Sequence, residues 1–397
     1  MVTISKFKIP TRRKRLTAAG VNYIVETATA PNRLLAGKRA RFDEFRFPPI
    51  HRLLILRTDG VGDLVLSGMA LEAIRERFPE AHIVLAAASW SYDLAINIDA
   101  VNEVIILNAP WIVSDASYNN LKSSLRQIKS NNFDMAIDLR GDFRNILMIK
   151  WLGIPLRLGF DLTGCGCLLT HVIPSDAEMH ELVRISQVGK TLGVADTDNL
   201  RGRVWIRHDD RRSVEKYLSS CGIGGGNIVV AVHVAARWPG RQWLAQRYAA
   251  ICDRLVDRYG CTVVLTGSKA DRPQANEVAR LMKNGAIIEA GSLSLMEFAA
   301  FLERCDLFVG VDSGPMHMAA AVETPVVALF GAALAKYLQP LGSMDHVVTR
   351  QADFKCSPCA QTECLMPEAS CMHAIQTDDV WQAISEILDQ PSEAKYV

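Results

Sequence analysis

The chain has 397 residues, enough for about two or three domains, and its 44 Lys and Arg nearly balance 43 Asp and Glu. A hydrophobic content of 49% is that of a folded protein rather than a disordered one. No apolar run reaches the roughly 18 residues that a membrane span requires. Charge is nonetheless uneven: residues 1–50 hold 11 basic and 3 acidic side chains, a net of +8, and the remainder carries −7. No apolar stretch follows the basic residues between Met1 and Arg15, so no signal peptide is read. The ten cysteines are expected as thiols of a reducing cytosol or as metal ligands.

Residues 1–50 read as an accessory segment, with Arg12-Arg13-Lys14-Arg15 and Lys38, Arg39, Arg41 flanking short apolar stretches. Two readings stand: a solvated, partly disordered tail, or an arm resting on anionic lipid headgroups. No nucleic-acid fold motif follows, so nucleic acid is not an expected partner. From His51 the pattern changes. Leu53-Leu54-Ile55-Leu56 is the run of a strand buried on both faces, Gly60 and Gly62 make a turn, and Leu64 to Phe78 has helical spacing. Strands follow at Ile83–Ala86, Val104–Leu107 and Met135–Leu139. Residues 160–222 read as a connecting region with a helix from Met179 to Leu192. The glycine string Gly222–Gly226 is the expected hinge.

A second set opens with Ile228–Val232, then a helix Trp243–Tyr259, a strand Thr262–Leu265, a short strand Ile287-Ile288 and a helix Leu295–Cys305. Leu307–Val311 is a strand leading into a helix near Pro315, Val326–Phe330 is another strand, and a last helix runs from Asp378 to Leu388 with Thr377 as its N-cap. The alternation predicts two doubly wound α/β domains, 51–222 and 223–376, behind a basic extension 1–50 and before a C-terminal helix 377–397. Two such halves are expected to face a central cleft that takes a nucleotide.

Four motifs carry chemistry. Arg57-Thr58-Asp59-Gly60-Val61-Gly62-Asp63 turns from a strand into a helix, and Asp63 there could accept a proton from a hydroxyl or merely favour the helix N-terminus. Asp312-Ser313-Gly314-Pro315-Met316-His317 repeats that arrangement. N–H groups around Ser313, Gly314 and Met316 suit an anion, Pro315 suits the first helical turn, and Asp312 suits sugar hydroxyls. His317 is a phosphate contact or a packed core histidine. Arg241, in Arg237-Trp238-Pro239-Gly240-Arg241-Gln242-Trp243, could neutralise a diphosphate, or the loop could be surface over a buried Trp. Cys356, Cys359, Cys364 and Cys371 are spaced to hold a structural zinc or iron, or are reduced thiols; no metal is expected in catalysis.

Taken in order, these strings resemble glycosyltransferase family nine, the ADP-heptose:lipopolysaccharide heptosyltransferases. Ile137-Asp138-Leu139-Arg140-Gly141, Arg157–Asp161, Leu265-Thr266-Gly267, Leu329-Phe330-Gly331 and the Cys-x-Pro-Cys tail belong to the likeness. It implies a GT-B fold of two Rossmann-like domains whose last helix crosses back to the first domain, with the acceptor on the first and the nucleotide-sugar donor on the second. It assigns Asp63 as general base and Arg241 to the donor phosphates. Asp312 goes to the donor sugar, Ser313 to His317 to the diphosphate and Asp271 to the ribose. Gly60, Gly62, Arg140 and Arg144 fall on the acceptor side. The expected partners are ADP-heptose and a lipopolysaccharide-core or glycolipid acceptor, in the cytoplasm or peripherally on the inner face of its membrane. Val234-Ala235-Ala236 and Ala332–Ala335 replace polar residues usual in the family, which leaves another donor sugar open. A nucleotide-sugar epimerase and a non-catalytic glycolipid-binding member also stay open. A dehydrogenase is disfavoured because no Gly-x-Gly-x-x-Gly follows either first strand.

Overall fold

The structure, a computed structural model, describes residues 12–35, 47–111, 118–176, 178–194, 200–342, 344–356, 359, 364, 366 and 370–390. Lys38, Arg39 and Arg41 of the basic head lie outside the described residues. The chain forms two compact units, Met1–Leu200 and Arg201–Val397.

The first unit contains, in order, α1 (Arg12–Leu35), β1 (Arg52–Arg57), α2 (Val61–Leu66), α3 (Gly68–Arg77), β2 (His82–Ala87), α4 (Tyr92–Ala95), β3 (Glu103–Ile106), α5 (Tyr118–Ser130), β4 (Met135–Asp138), α6 (Phe143–Trp151), β5 (Leu156–Gly159), β6 (His171–Val172) and α7 (Glu181–Leu192). Its strands lie in the order β3-β2-β1-β4-β5-β6, every pairing parallel. β1 shows why the apolar run is unbroken: Leu53 to Leu56 are fully buried, as a central parallel strand covered on both faces demands. The single helix expected over Leu64–Phe78 is two. They meet at Ser67, which caps both and whose Oγ donates to the Asp63 carbonyl at 2.9 Å.

Part of the basic head is folded. In α1, Ala18 and Asn22 are buried, and Val21 and Val25 pack against the core around Cys165. Asn22 Oδ1 accepts the Cys165 N–H at 2.6 Å. The solvated-tail reading is corrected for this stretch: the i, i+3, i+4, i+7 spacing of those four residues is a helix face.

The second unit contains α8 (His208–Ser220), β7 (Val229–His233), α9 (Ala245–Tyr259), β8 (Thr262–Thr266), α10 (Arg272–Leu281), β9 (Ile287–Ile288), α11 (Leu295–Glu303), β10 (Leu307–Val311), α12 (Gly314–Ala321), β11 (Val326–Phe330), α13 (Ala335–Leu338), β12 (His346–Thr349), α14 (Cys371–Ala374) and α15 (Thr377–Leu388). The order is β12-β11-β10-β7-β8-β9, again all parallel. Counted within its own unit, this is the strand order of the first sheet.

Two boundaries differ from the sequence reading. The units divide ahead of the glycine string because α8 packs on α11, where Arg211 pairs with Glu303 at 2.7 Å and Arg304 with Glu215 at 2.7 Å. The final helix, expected to cross back to the first domain, has its apolar face in the second unit. Val380, Ile384 and Ile387 join the core that holds Trp243 and Leu255, and Arg254 lies 4.1 Å over the Trp381 ring. Its N-cap is Gln376, whose N–H donates to Asp379 Oδ2 at 2.8 Å, and Thr377 is the first helical residue. Among the described residues no helix is long and apolar enough to cross a membrane.

Candidate active site

In each sheet the connections reverse direction beside the first strand: between β1 and β4 in the first unit, between β7 and β10 in the second. Loops leaving the carboxyl ends of strands at such a point diverge and leave room for a ligand. Four of the expected site strings leave from these strands. Asp63 follows β1, Arg140 follows β4, Arg241 follows β7 and Asp312 follows β10.

In the first unit, Asp63 is the third residue of α2. Its Oδ2 reaches back to accept the Gly60 N–H at 3.0 Å, which satisfies one orphan donor of the helix start. A Cβ on Gly60 would come within 3.2 Å of that same oxygen, so a side chain there would push the carboxylate aside. Arg57, the last residue of β1, is fully buried. It donates Nη1 to the Leu139 carbonyl (2.7 Å), Nε to the Asp63 carbonyl (3.0 Å) and Nη2 to Glu181 Oε1 (3.0 Å). Its Nη2 also lies 3.5 Å from Asp63 Oδ1 and its Nε 3.4 Å from Asp59. Burial works against its charge, but Asp59, Asp63 and Glu181 outweigh burial and hold it above the ordinary arginine range. Glu181 in turn pairs with buried Arg184. The Asp63 side chain keeps 31% exposure, so it is anchored yet reachable.

The loop after β4 is shaped by Asp138. This buried carboxylate accepts the N–H groups of Arg140 (3.3 Å), Gly141 (3.0 Å) and Asp142 (3.2 Å), and Nδ2 of Asn145 (3.0 Å). Burial pushes it up to about 7, against the pull of the Asn145 bond. Gly141 has φ +69°, and a Cβ there would meet Leu162 and Phe160 at 2.9–3.0 Å. Arg140 lies 3.9 Å from Asp59 and 3.6 Å from Asp142, which brings it into the Asp59–Asp63 turn. Arg144 is spent on its own helix cap: its N, Nε and Nη2 all bond Asp142. Burial raises Asp142, but Arg144 and Arg140 win and hold it low.

In the second unit, Arg241 Nη1 donates to Asp312 Oδ2 at 2.7 Å, joining two residues that the sequence treats as separate. Asp312 is nearly buried, Arg241 26% exposed, and His317 Nε2 stands 3.9 Å from Asp312 Oδ1. Ser313 is the N-cap of α12, yet its hydroxyl makes no cap bond. Ser313 Oγ and Arg241 Nε are both buried without a hydrogen-bond partner. Buried polar atoms left so are costly in a folded chain unless something else binds them. The Arg241 loop is braced from below. Gln242 accepts the Ala236 N–H at 2.9 Å and donates to the Val234 carbonyl, and buried Trp243 donates Nε1 to Ile375 O at 3.0 Å. His233 is buried at the end of β7, and burial depresses it to about 4. Asp271 is engaged as a turn residue, accepting the Ser268 N–H (2.8 Å) and Oγ (2.6 Å).

The tail cysteines are free thiols. Cys371 is pushed up by burial and by the nearby Cys359, Cys364 and Cys356. Among the described residues, however, no three His, Cys, Asp or Glu are arranged to hold a metal ion, so these four do not fit a metal site as placed.

Sequence reasoning passed over Glu181, Asn145, Trp90 and Gln242. Trp90 Nε1 donates to the Asp59 carbonyl at 2.7 Å, fixing the turn from outside. Glu181 had one readable signal, an acid in phase with Ile185, Val188 and Leu192 on the apolar face of α7.

Residues 122–370 match the family model for glycosyltransferase family 9 (heptosyltransferase). Lipopolysaccharide heptosyltransferase 3 of Escherichia coli (strain K12) is 26% identical over 281 residues, covering 68% of this chain and 80% of that protein. Lipopolysaccharide heptosyltransferase 2 of the same strain is 26% identical over 308 residues, covering 75% and 87%. A crystal structure of a family 9 glycosyl transferase from Veillonella parvula superposes with a TM-score of 0.72 at 21% identity, covering 86% of this chain and 98% of that one. The last likeness is one of fold, the GT-B class with its two parallel sheets. With the family model matching residues 122–370, more than half of its length, the chain is a glycosyltransferase and belongs to glycosyltransferase family 9.

Proposed function

We propose that the protein is an inverting heptosyltransferase that moves heptose from ADP-heptose to a hydroxyl of a lipopolysaccharide-core acceptor. The relatives' names support the sugar and the acceptor class. The observation that carries the mechanism is the state of Asp63, held on one side by Gly60 and Arg57 and open on the other.

Asp63 takes the acceptor proton as its oxygen attacks the anomeric carbon. The bond from that carbon to the diphosphate breaks on the opposite face, and ADP leaves with the bonding electrons. Arg241 and the N–H groups of Gly314 and Met316 take the charge that develops on the diphosphate. Arg241 Nε and Ser313 Oγ, both buried without a hydrogen-bond partner, suit that role. Asp312 takes donor hydroxyls, His317 lies beside the diphosphate, and Asp271 stands near the ribose. Gly60, Gly62 and Arg140 shape the acceptor side.

Asp63→Ala is expected to cut turnover by roughly 10²–10⁴-fold while ADP binding, read by titration calorimetry, survives. Unchanged turnover would remove the base assignment. Transfer of a different nucleotide sugar is the second reading, favoured by the buried methyl groups of Ala235, Ala332 and Ala333 where the family is usually polar. A donor screen with mass detection of the transferred sugar separates the two.

A further inference from the structure

Helix α1 has two faces, and the fold uses one. Ala18, Val21, Asn22 and Val25 fasten it to the first unit. On the other side Leu16, Tyr23 and Ile24 stand 65%, 71% and 67% exposed, at i, i+7 and i+8, so they fall on one outward stripe. Large apolar side chains grouped in this way on a docked helix mark a surface that meets something apolar.

Charge says what that something is. The first turn of α1 is Arg12-Arg13-Lys14-Arg15, and Glu26 is the one acidic residue in the whole helix. Four cations at a helix N-terminus stand against the positive end of the helix dipole, an arrangement that an external anionic surface reverses.

We propose that α1 is a membrane-surface anchor: it lies flat on an anionic lipid leaflet, with Leu16, Tyr23 and Ile24 entering the headgroup boundary and the positive charge of the first turn drawing the helix to the leaflet. A helix of this make-up binds in the plane of the interface by combining apolar burial with attraction to anionic lipid, and neither contribution suffices alone. The helix is not a span, and its inner face is occupied by protein.

The test is sedimentation of the full chain with vesicles of phosphatidylcholine containing roughly one third phosphatidylglycerol, and with pure phosphatidylcholine vesicles as the neutral control. The chain is expected to sediment with the anionic vesicles only and to be released as salt rises. Leu16→Ser/Tyr23→Ser/Ile24→Ser should weaken binding by about tenfold or more with the melting temperature held, since these side chains do not enter the core. Arg12→Glu/Arg13→Glu should weaken it comparably, through charge, without touching the apolar stripe. Failure to bind anionic vesicles, or binding by either variant as tight as that of the wild type, would overturn the proposal. So would a self-associated species that the triple-serine variant dissolves, because a second copy would then cover the stripe. The assay reads no sugar transfer, so its outcome stands apart from that of the Asp63 experiment.

Discussion

At the switch point of the first unit the arginine is the final residue of a central strand. At that of the second it sits on a loop, three residues past an exposed tryptophan. Arg57 has no exposed side-chain surface and serves Asp59, Asp63, Glu181 and the Leu139 carbonyl at once. Arg241 keeps 26% exposure, pairs with Asp312 alone among the described residues, and has a nitrogen to spare. The same two residue types thus do different work on the same sheet topology. Arg57 is scaffold, its charge used up in positioning a carboxylate. Arg241 is less committed, with a single ion-pair partner and a buried nitrogen that makes no hydrogen bond.

The sharpest way to break this contrast is to remove each guanidinium. Arg57→Met leaves Glu181 buried with its charge reduced to the Arg184 contact, and the loss should be about 3–5 kcal/mol, with activity falling alongside. Denaturant melts of that variant check it, and a near-normal melt would deny Arg57 its structural part. Arg241→Gln should reverse the pattern. Turnover is expected to fall by about 10²–10³-fold, whereas stability changes by less than about 2 kcal/mol. Equal loss of stability in the two variants would erase the distinction.

A smaller effect is read through pH. His233 is depressed to about 4 in the folded chain, against an ordinary 6.5. Between those values the unfolded chain binds a proton that the folded chain refuses, so this residue's contribution to stability is lost as pH falls from about 6.5 towards 4. Asp138 in the first unit and Glu289 in the second, both pushed up to about 7 by burial, run the other way: their penalty grows as pH rises from about 4 to 7. His233→Gln should therefore remove a loss on the order of 1 kcal/mol between pH 6.5 and 5. Thermal melts of wild type and variant that stay parallel across that window would show that His233 does not titrate as its burial demands.

The central strands were legible because a parallel strand covered on both faces must be apolar throughout, as Leu53–Leu56 and Leu307–Val311 are. β5 and β6 gave no such signal: β6 has two residues and β5 alternates Leu with Arg157. Asp63, Arg241 and Asp312 were legible from the turn between strand and helix that presents each. Their pairing was not. Arg241 and Asp312 are 71 positions apart and Arg57 and Glu181 are 124 apart, and no local pattern links them. In α1 the basic run hid the quieter spacing of Ala18, Val21, Asn22 and Val25, which decides that the segment folds.

The Arg57–Glu181 bond also sets an order of events during synthesis. A ribosome that has released every strand of the first sheet has not yet delivered the carboxylate on α7 that completes the arginine's shell. Until that helix emerges, the nascent sheet holds a guanidinium it cannot bury without cost, and the turn from Asp59 to Asp63 stays unset. The first unit therefore matures late, only when its last helix arrives.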